Sequence, residues 1–224
     1  AVLSHIEFLL ETAWVELQAM AISVSDHWVA FAVAGPHSRA VVQTLLPKED
    51  LSAAALPFLG VRETQFEGKD CLIMRNSYSG ELAFEVYVTA DHGLRLWEQI
   101  LQAGQPHAIT PYGTEAMATL RIEKGHIAGP ELDGRVTADD VGLGRMGARR
   151  KPCVGQALRH RPGLQKPDRP RLVGLLPIDS QAPLKAGSLL RPIGARDGGE
   201  AMEGHVTSVT FSPAMDSMIA LGML

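Results

Sequence analysis

Apolar and polar residues alternate along this chain with two different periods, and each change of period marks a new element. Residues 6–19, IEFLLETAWVELQA, place Ile6, Leu9, Leu10, Trp14 and Leu17 on or near one face of a helix. SVSDHWVAFAVAGP reads as two short strands around Asp26 and His27. The second of these is apolar on both faces, as a central strand would be. Gly35-Pro36 breaks it, and HSRAVVQTLL starts a new helix. Past the loop around Pro47 and Pro57, CLIMRNSYSGELAFEVYV predicts a β-hairpin. Its turn falls at Ser79-Gly80, and its second strand runs from Leu82 to Val88. Residues 90–102 form an amphipathic helix that Gly104 ends. A further helix runs from Tyr112 to Lys124, with Pro111 at its start and Thr110 as candidate N-cap.

Helices and hairpins alternate without the βαβ rhythm of a parallel sheet, so the fold class is α+β with antiparallel sheets and flanking helices. This first domain extends over residues 1–148. Residues 149–171 hold four prolines among many arginines and lysines. Prolines this frequent predict a basic linker whose charges are solvated. Beyond it, LVGLLPI, GHVTSVTF and SMIALGML are short β-like runs, and they predict a small β-rich, barrel-like domain over 172–224. Both ends of the chain carry patterned apolar residues, which predicts a fragment cut through structure.

Composition narrows the choice of function. At 46% hydrophobic and 21% charged the chain is a folded protein, and a net charge of −4 argues against a nucleic-acid binder. No apolar run approaches the roughly 20 residues that span a bilayer. Cys71 and Cys153 lie far apart and form no CxxC, which suits a reducing, cytoplasmic setting.

Most motifs fail on context. GLGRMG, 142–147, has GxGxxG spacing, but TADDV before it is no strand and ARRKPCVG after it opens no helix. The histidines are scattered and Asp133, Asp139 and Asp140 lack calcium-loop spacing, so no metal is expected. No GxSxG elbow is present. Cys153 has basic neighbours that would activate a thiol, yet a structural or merely exposed cysteine is the simpler reading. Glu85 stands out, because it interrupts a strand between Phe84 and Val86. Such a glutamate either points into water or faces a pocket, where it could accept hydrogen bonds from a flat amino-heterocycle that Tyr78 covers.

Three stretches together carry a resemblance. YSGELAFEVYV resembles a segment of the folate-binding aminomethyltransferase family, the T-protein of the glycine cleavage system. GTEAMATLRIEKGHIAGPELDGRVTADDVGLGRM is similar to the form of the next segment in the α subunit of heterotetrameric sarcosine oxidase. VAGPHSRAVVQTLL fits the family's central strand and following helix, and the match runs in order over about 28 to 222.

The resemblance implies the T-protein fold and a tetrahydrofolate site. It makes Tyr78 and Glu85 the pterin contacts. On the helix after Gly113 it places Met117 where the family has a folate-contacting arginine, with Arg121 one turn later. Sarcosine oxidation, with its flavins and NAD, is then expected elsewhere in the complex. The partners are reduced folate, the β, γ and δ subunits and the rest of the α chain. The family's catalytic aspartate would fall near Val2 to His5, where none stands, so the catalytic residue stays unassigned. That departure suits capture of an already electrophilic one-carbon unit as 5,10-methylenetetrahydrofolate.

The implied loop RIEKGHIAGPELDGRVTADDVGLG would pass close to the ligand. Its glycines allow tight turns, and Asp133, Thr137, Asp139 and Asp140 would fix it by local hydrogen bonds or lie in solvent. Arg121 and Glu123 are expected to make structural ion pairs beneath it. Alternatives are a free-standing aminomethyltransferase, a non-catalytic folate-binding protein of iron–sulfur cluster assembly, in which Cys153 of KPCVGQ would matter, and a scaffold that binds nothing.

Overall fold

The two runs Val61–Phe66 and Lys69–Met74 are separated by Glu67-Gly68, and both turn residues have positive φ, 49° and 80°. A two-residue turn of that hand matches the twist of antiparallel strands, so β2 (Val61–Phe66) folds straight back onto β3 (Lys69–Met74). β3 pairs next with β4 (Ala83–Thr89), and β4 with β1 (Trp28–Ala34), all antiparallel in the order β1-β4-β3-β2. These elements belong to a computed structural model that describes residues 2–146, 155–180, 182–194 and 202–224. It divides into two units, Ala1–Ser77 with Glu81–Pro111, and Tyr78–Gly80 with Tyr112–Leu224.

One face of the first sheet carries the core of its unit. Phe84, Val86 and Val88 of β4 and Ile73 of β3 are fully buried there, against Val41 and Val42 of α2 (Ser38–Leu45) and Leu96 and Ile100 of α3 (Gly93–Gly104). Ser38 fastens the start of α2 by donating to the Leu82 carbonyl at 2.8 Å. The loop before β2 tucks Leu51 and Leu56 into the same core, and Arg62 holds it through Glu49 at 3.2 Å and the Ala55 carbonyl at 2.8 Å.

The second unit contains α4 (Thr114–Lys124), the short α5 (Gln156–Arg159) and a four-stranded antiparallel sheet. Its strands, β5 (Leu172–Leu175), β6 (Leu189–Leu190), β7 (Gly204–Ser212) and β8 (Ser217–Met223), stand in the order β5-β8-β7-β6. α4 lies against β7, where Thr119 and Thr210 share a hydrogen bond of 2.8 Å, and Ile122 packs with Ile219 and Leu221.

The α+β class, the antiparallel sheets and the β-rich C-terminal unit are as the sequence predicts. Several elements differ in detail. Among the described residues no strand precedes Asp26; Ser25–His27 is a single 3₁₀ turn, the form that Ser and Asp favour over a ladder. β1 is an edge strand among the described residues, not a central one. Ala30 and Ala32 on one face of β1 are exposed, so its apolar residues on both faces do not mark a strand covered on both. The first helix, α1, spans Val2–Thr12 and ends early, and it buries none of its residues. α4 starts at Thr114 behind Gly113, while the Thr110 hydroxyl bonds the Ala108 carbonyl at 3.2 Å and caps nothing. β2 has no counterpart among the predicted elements.

Phe84 is the largest fully buried side chain of the first unit, so Phe84→Ala should cost about 3–5 kcal/mol in urea denaturation. A loss below about 1 kcal/mol would mean that this face is not the core.

Candidate functional site

Successive residues of a strand point to opposite faces. With Phe84, Val86 and Val88 in the core, Glu85 and Tyr87 must lie on the other face, beside Ala32 and Met74, the residues paired with Glu85. Asn76 sits two residues past Met74 on the same side. Its Nδ2 donates to Glu85 Oε1 at 3.1 Å, and the Tyr87 hydroxyl donates to Oε2 at 2.7 Å. Glu85 is half-buried, and the neighbouring Ala30 and Ala32 are exposed. The hydrogen bond to Glu85, then burial and the Glu85 charge, raise the Tyr87 pKa, so the phenol stays a donor at neutral pH. A carboxylate has about four acceptor positions. One donor on each oxygen therefore leaves each with capacity for a ligand N–H.

Tyr78, Met117 and Arg121 belong to the second unit, as Glu85 does to the first. Tyr78 is exposed and its ring leans on His126, centroids 4.8 Å apart. Met117 and Arg121 lie one turn apart on α4, Met117 at the surface and Arg121 buried. The Arg121 guanidinium is engaged by Glu131 at 2.9 Å, Ser208 at 2.7 Å and the His126 carbonyl at 3.3 Å. Glu123 accepts a hydrogen bond from Ser212 at 2.5 Å.

Glu131 organises the loop after α4. Gly125 caps the helix in the left-handed region, φ 73°, and His126 N returns to the Arg121 carbonyl at 2.8 Å. The chain then makes a 3₁₀ turn, Gly129–Glu131, that sends the Glu131 carboxylate inward with no exposed side-chain surface. It accepts from the Ala128 amide at 2.8 Å, Thr207 at 2.7 Å and Ser208 at 2.6 Å. Thr207 and Ser208 are consecutive and would face opposite ways in a regular strand. The β-bulge between Val206 and Ser208 aims both at the same carboxylate. Burial alone would raise the Glu131 pKa; the Ser208, Thr207 and Ala128 hydrogen bonds and the Arg121 charge outweigh it and hold the group below its usual value.

Further along the loop, Asp133 pairs with Arg135, and its Oδ1 accepts the Arg135 amide at 2.9 Å. Asp140 takes the Thr137 amide at 2.7 Å and hydroxyl at 2.9 Å, and Arg169 Nε at 3.2 Å. Its pKa is lowered because these bonds and the Arg169 charge exceed the effect of burial. Asp139 pairs with Arg159 at 2.7 Å. Arg159 and Arg169 belong to the basic run read as solvated, and here they are the counter-charges of the acidic loop. Among the described residues no three His, Cys, Asp or Glu side chains gather as a metal would need. Cys71 is buried in the first core, its thiol pushed up to about 11 by burial and then the Glu49 charge. Cys153, Gly147 and the basic residues 149–151 lie outside the described residues.

Asn76, Tyr87 and Glu131 were not singled out by the sequence reading. Tyr87 had a legible signal, since it lies two residues from Glu85 on one strand. Asn76 and Glu131 had none, because each depends on a partner brought in by the fold.

The chain belongs to the glycine cleavage T-protein family: residues 2–151 match the GCVT N-terminal domain, and 171–224 the glycine cleavage T-protein C-terminal barrel domain. Over its whole length it is 41% identical to sarcosine oxidase subunit alpha of Rhizobium meliloti (strain 1021), and 40% to that of Corynebacterium sp. (strain P-1). It spans about a quarter of those relatives, 23% and 24% of their lengths. An aminomethyltransferase of Geobacillus kaustophilus (strain HTA426) is 36% identical over 94% of this chain and 55% of its own. The crystal structure of the glycine cleavage system aminomethyltransferase T from Bartonella henselae superposes with a TM-score of 0.66 at 26% identity, over 88% of this chain and 51% of that one. Among the described residues no helix is long and apolar enough to cross a membrane.

Glu131→Ala leaves Arg121 buried without its counter-charge, a loss of about 3–5 kcal/mol in urea denaturation. The acid dependence has a definite sign. Glu131 and Asp140 have folded pKa values below their unfolded ones, so their stabilisation is complete above an unfolded pKa of about 4 and is lost as pH falls through the lower folded values. The urea midpoint should drop on acidification in that window, and less steeply in Glu131→Ala. Equal acid sensitivity in both proteins would remove Glu131 from this role.

Proposed function

We propose that this chain is the tetrahydrofolate-binding, one-carbon-transfer part of a sarcosine oxidase α subunit. The observation that carries the reading is the Glu85 carboxylate, held on an open sheet face by one donor on each oxygen with an acceptor position left on each. Family membership and similarity along the whole chain to proteins named sarcosine oxidase subunit alpha support it.

The residues present fit the group. A pterin offers adjacent N–H donors on a flat ring; Glu85 offers two acceptors, and the alanines beside it leave room for a ring to approach. Each charge-assisted hydrogen bond of this kind contributes roughly 1.5–3 kcal/mol. Bound tetrahydrofolate would supply two amine nitrogens that capture a formaldehyde-level carbon as a methylene bridge, with loss of water. Tyr78 and Met117 are assigned to the same ligand on family position alone. Arg121 is assigned a supporting role, since its guanidinium is engaged by Glu131 and Ser208 and holds the loop after α4.

In this reading the oxidation of sarcosine, with its flavins and NAD, lies outside this chain, in a cytoplasmic complex with the β, γ and δ subunits and the rest of the α chain. The product is 5,10-methylenetetrahydrofolate. A second reading, a free-standing aminomethyltransferase, draws on the Geobacillus kaustophilus relative. The absence of an aspartate among Val2–His5 counts against it, because transfer from an aminomethyl donor needs acid–base help that capture of a free electrophile does not.

Calorimetric titration with 5-formyltetrahydrofolate tests the proposal. Binding by the chain, weakened roughly 30-fold in Glu85→Gln for a loss of about 2 kcal/mol, is the expected result. Equal affinity in both proteins would remove Glu85 from the site, and absence of binding in the parent would overturn the folate reading of this chain.

A further inference from the structure

A glutamate on an open sheet face normally samples many rotamers, and an acceptor that must be ordered when its ligand arrives binds more weakly for it. Glu85 is not left in that state. Two residues along β4 stands Tyr87, on the same face by the strand's own period, with its hydroxyl 2.7 Å from Oε2. On the adjacent strand, Met74 is the cross-strand partner of Glu85, and Asn76, two residues further, brings its amide to 3.1 Å from Oε1. The three side chains form a triangle whose shape is set by sheet register. Asn76 is fixed in turn from its other end, because its Oδ1 accepts the Ser77 amide at 2.9 Å. The Asn76 Nδ2 is therefore the end that faces the carboxylate.

Neither donor has another task in the first unit's core, which lies entirely on the opposite face of β4. A carboxylate placed on this face only for solubility would need no such donors. The distribution of the bonds is informative too. Two donors on one oxygen would leave the other free to swing; one donor on each oxygen fixes the plane of the carboxylate and keeps one acceptor position on both.

We propose that Asn76 and Tyr87 are positioning residues that fix the plane of the Glu85 carboxylate, so that it accepts a ligand with two adjacent N–H donors. This rests on the folate reading of Glu85. Both residues act through Glu85 and neither is assigned contact with the ligand. The arrangement also selects. A ring that presents a carbonyl in place of one of the two donors sets an acceptor against a fixed carboxylate oxygen that cannot rotate away.

The test is a double-mutant cycle on the full chain, read by calorimetric titration with 5-formyltetrahydrofolate. Tyr87→Phe keeps the ring and removes only the hydroxyl; Asn76→Ala removes the amide. Each is made in the parent and in Glu85→Gln, with the urea midpoint followed to verify folding. Acting through Glu85, each should weaken binding roughly 5- to 20-fold in the parent and leave the weaker affinity of Glu85→Gln nearly unchanged. Equal losses in both backgrounds would make the two residues general structural supports, and no loss in either would overturn the assignment outright.

Titration of the Tyr87 phenol by NMR is a readout that needs no folate. Its pKa should fall towards the ordinary tyrosine value when Glu85 is replaced by Gln; an unmoved value would show that the hydrogen bond does not form in solution and would end the proposal. If the phenol responds as expected while the parent binds no folate, the folate reading fails and the ligand assignment falls with it, although the triangle itself is real. The two failures are therefore distinguishable.

Discussion

The register of β4 is the constraint on which the first unit depends. Its odd and even positions cannot exchange roles, because Phe84, Val86 and Val88 fill a core that α2 and α3 close. A slip of one residue would drive the Glu85 carboxylate into that core and expose three large apolar side chains, at a cost of many kcal/mol by burial of a charge alone. The same alternation that builds the core thus delivers Glu85 and Tyr87 to the opposite face. Pairing with β3 then sets Asn76 beside them. Core and candidate site are two sides of one strand, and neither could be moved without the other.

The second unit solves a different problem. A loop that leaves α4 and carries several carboxylates needs anchors, and apolar burial cannot supply them. Glu131 does so by entering the interior fully paired, with an amide, two hydroxyls and a guanidinium around it. A buried charge is tolerable only when its hydrogen-bonding capacity is met, and the bulge in β7 exists at the point where two consecutive hydroxyls are required. Asp139 and Asp140 are met in turn by Arg159 and Arg169. The acid-rich loop and the basic segment after it are one electrostatic structure, written in two separated stretches of sequence.

That separation explains what could and could not be read from the sequence. Strand and helix types were legible wherever one face is apolar, as in 83–89 and 93–104, since periodicity reports burial directly. β2 was missed because neither of its faces is apolar, with Glu63 and Gln65 on the exposed side and Arg62 and Thr64 on the other, although Glu67-Gly68 marked the turn. The extra strand before Asp26 was over-read from β-branched residues that are in fact exposed. Glu85 was legible because a carboxylate amid apolar neighbours violates its surroundings. Of its two donors, Tyr87 had a signal in its place two residues along the same strand, whereas Asn76 had none, because its bond depends on the register of β3 with β4, which no single run of residues states. The position of Arg121 on the helix was legible, whereas its engagement with Glu131 and Ser208 requires residues ten and eighty-seven positions away.

The functional account places the ligand's amino-pyrimidine edge on Glu85, and a crystal structure of the chain soaked or grown with 5-formyltetrahydrofolate examines that most directly. The account predicts pterin density on the open face of the first sheet, with two N–H donors within hydrogen-bond distance of Glu85 Oε1 and Oε2 and the bonds from Asn76 and Tyr87 intact. A folate bound elsewhere, with the Glu85 carboxylate still facing only its own two donors and solvent, would contradict it.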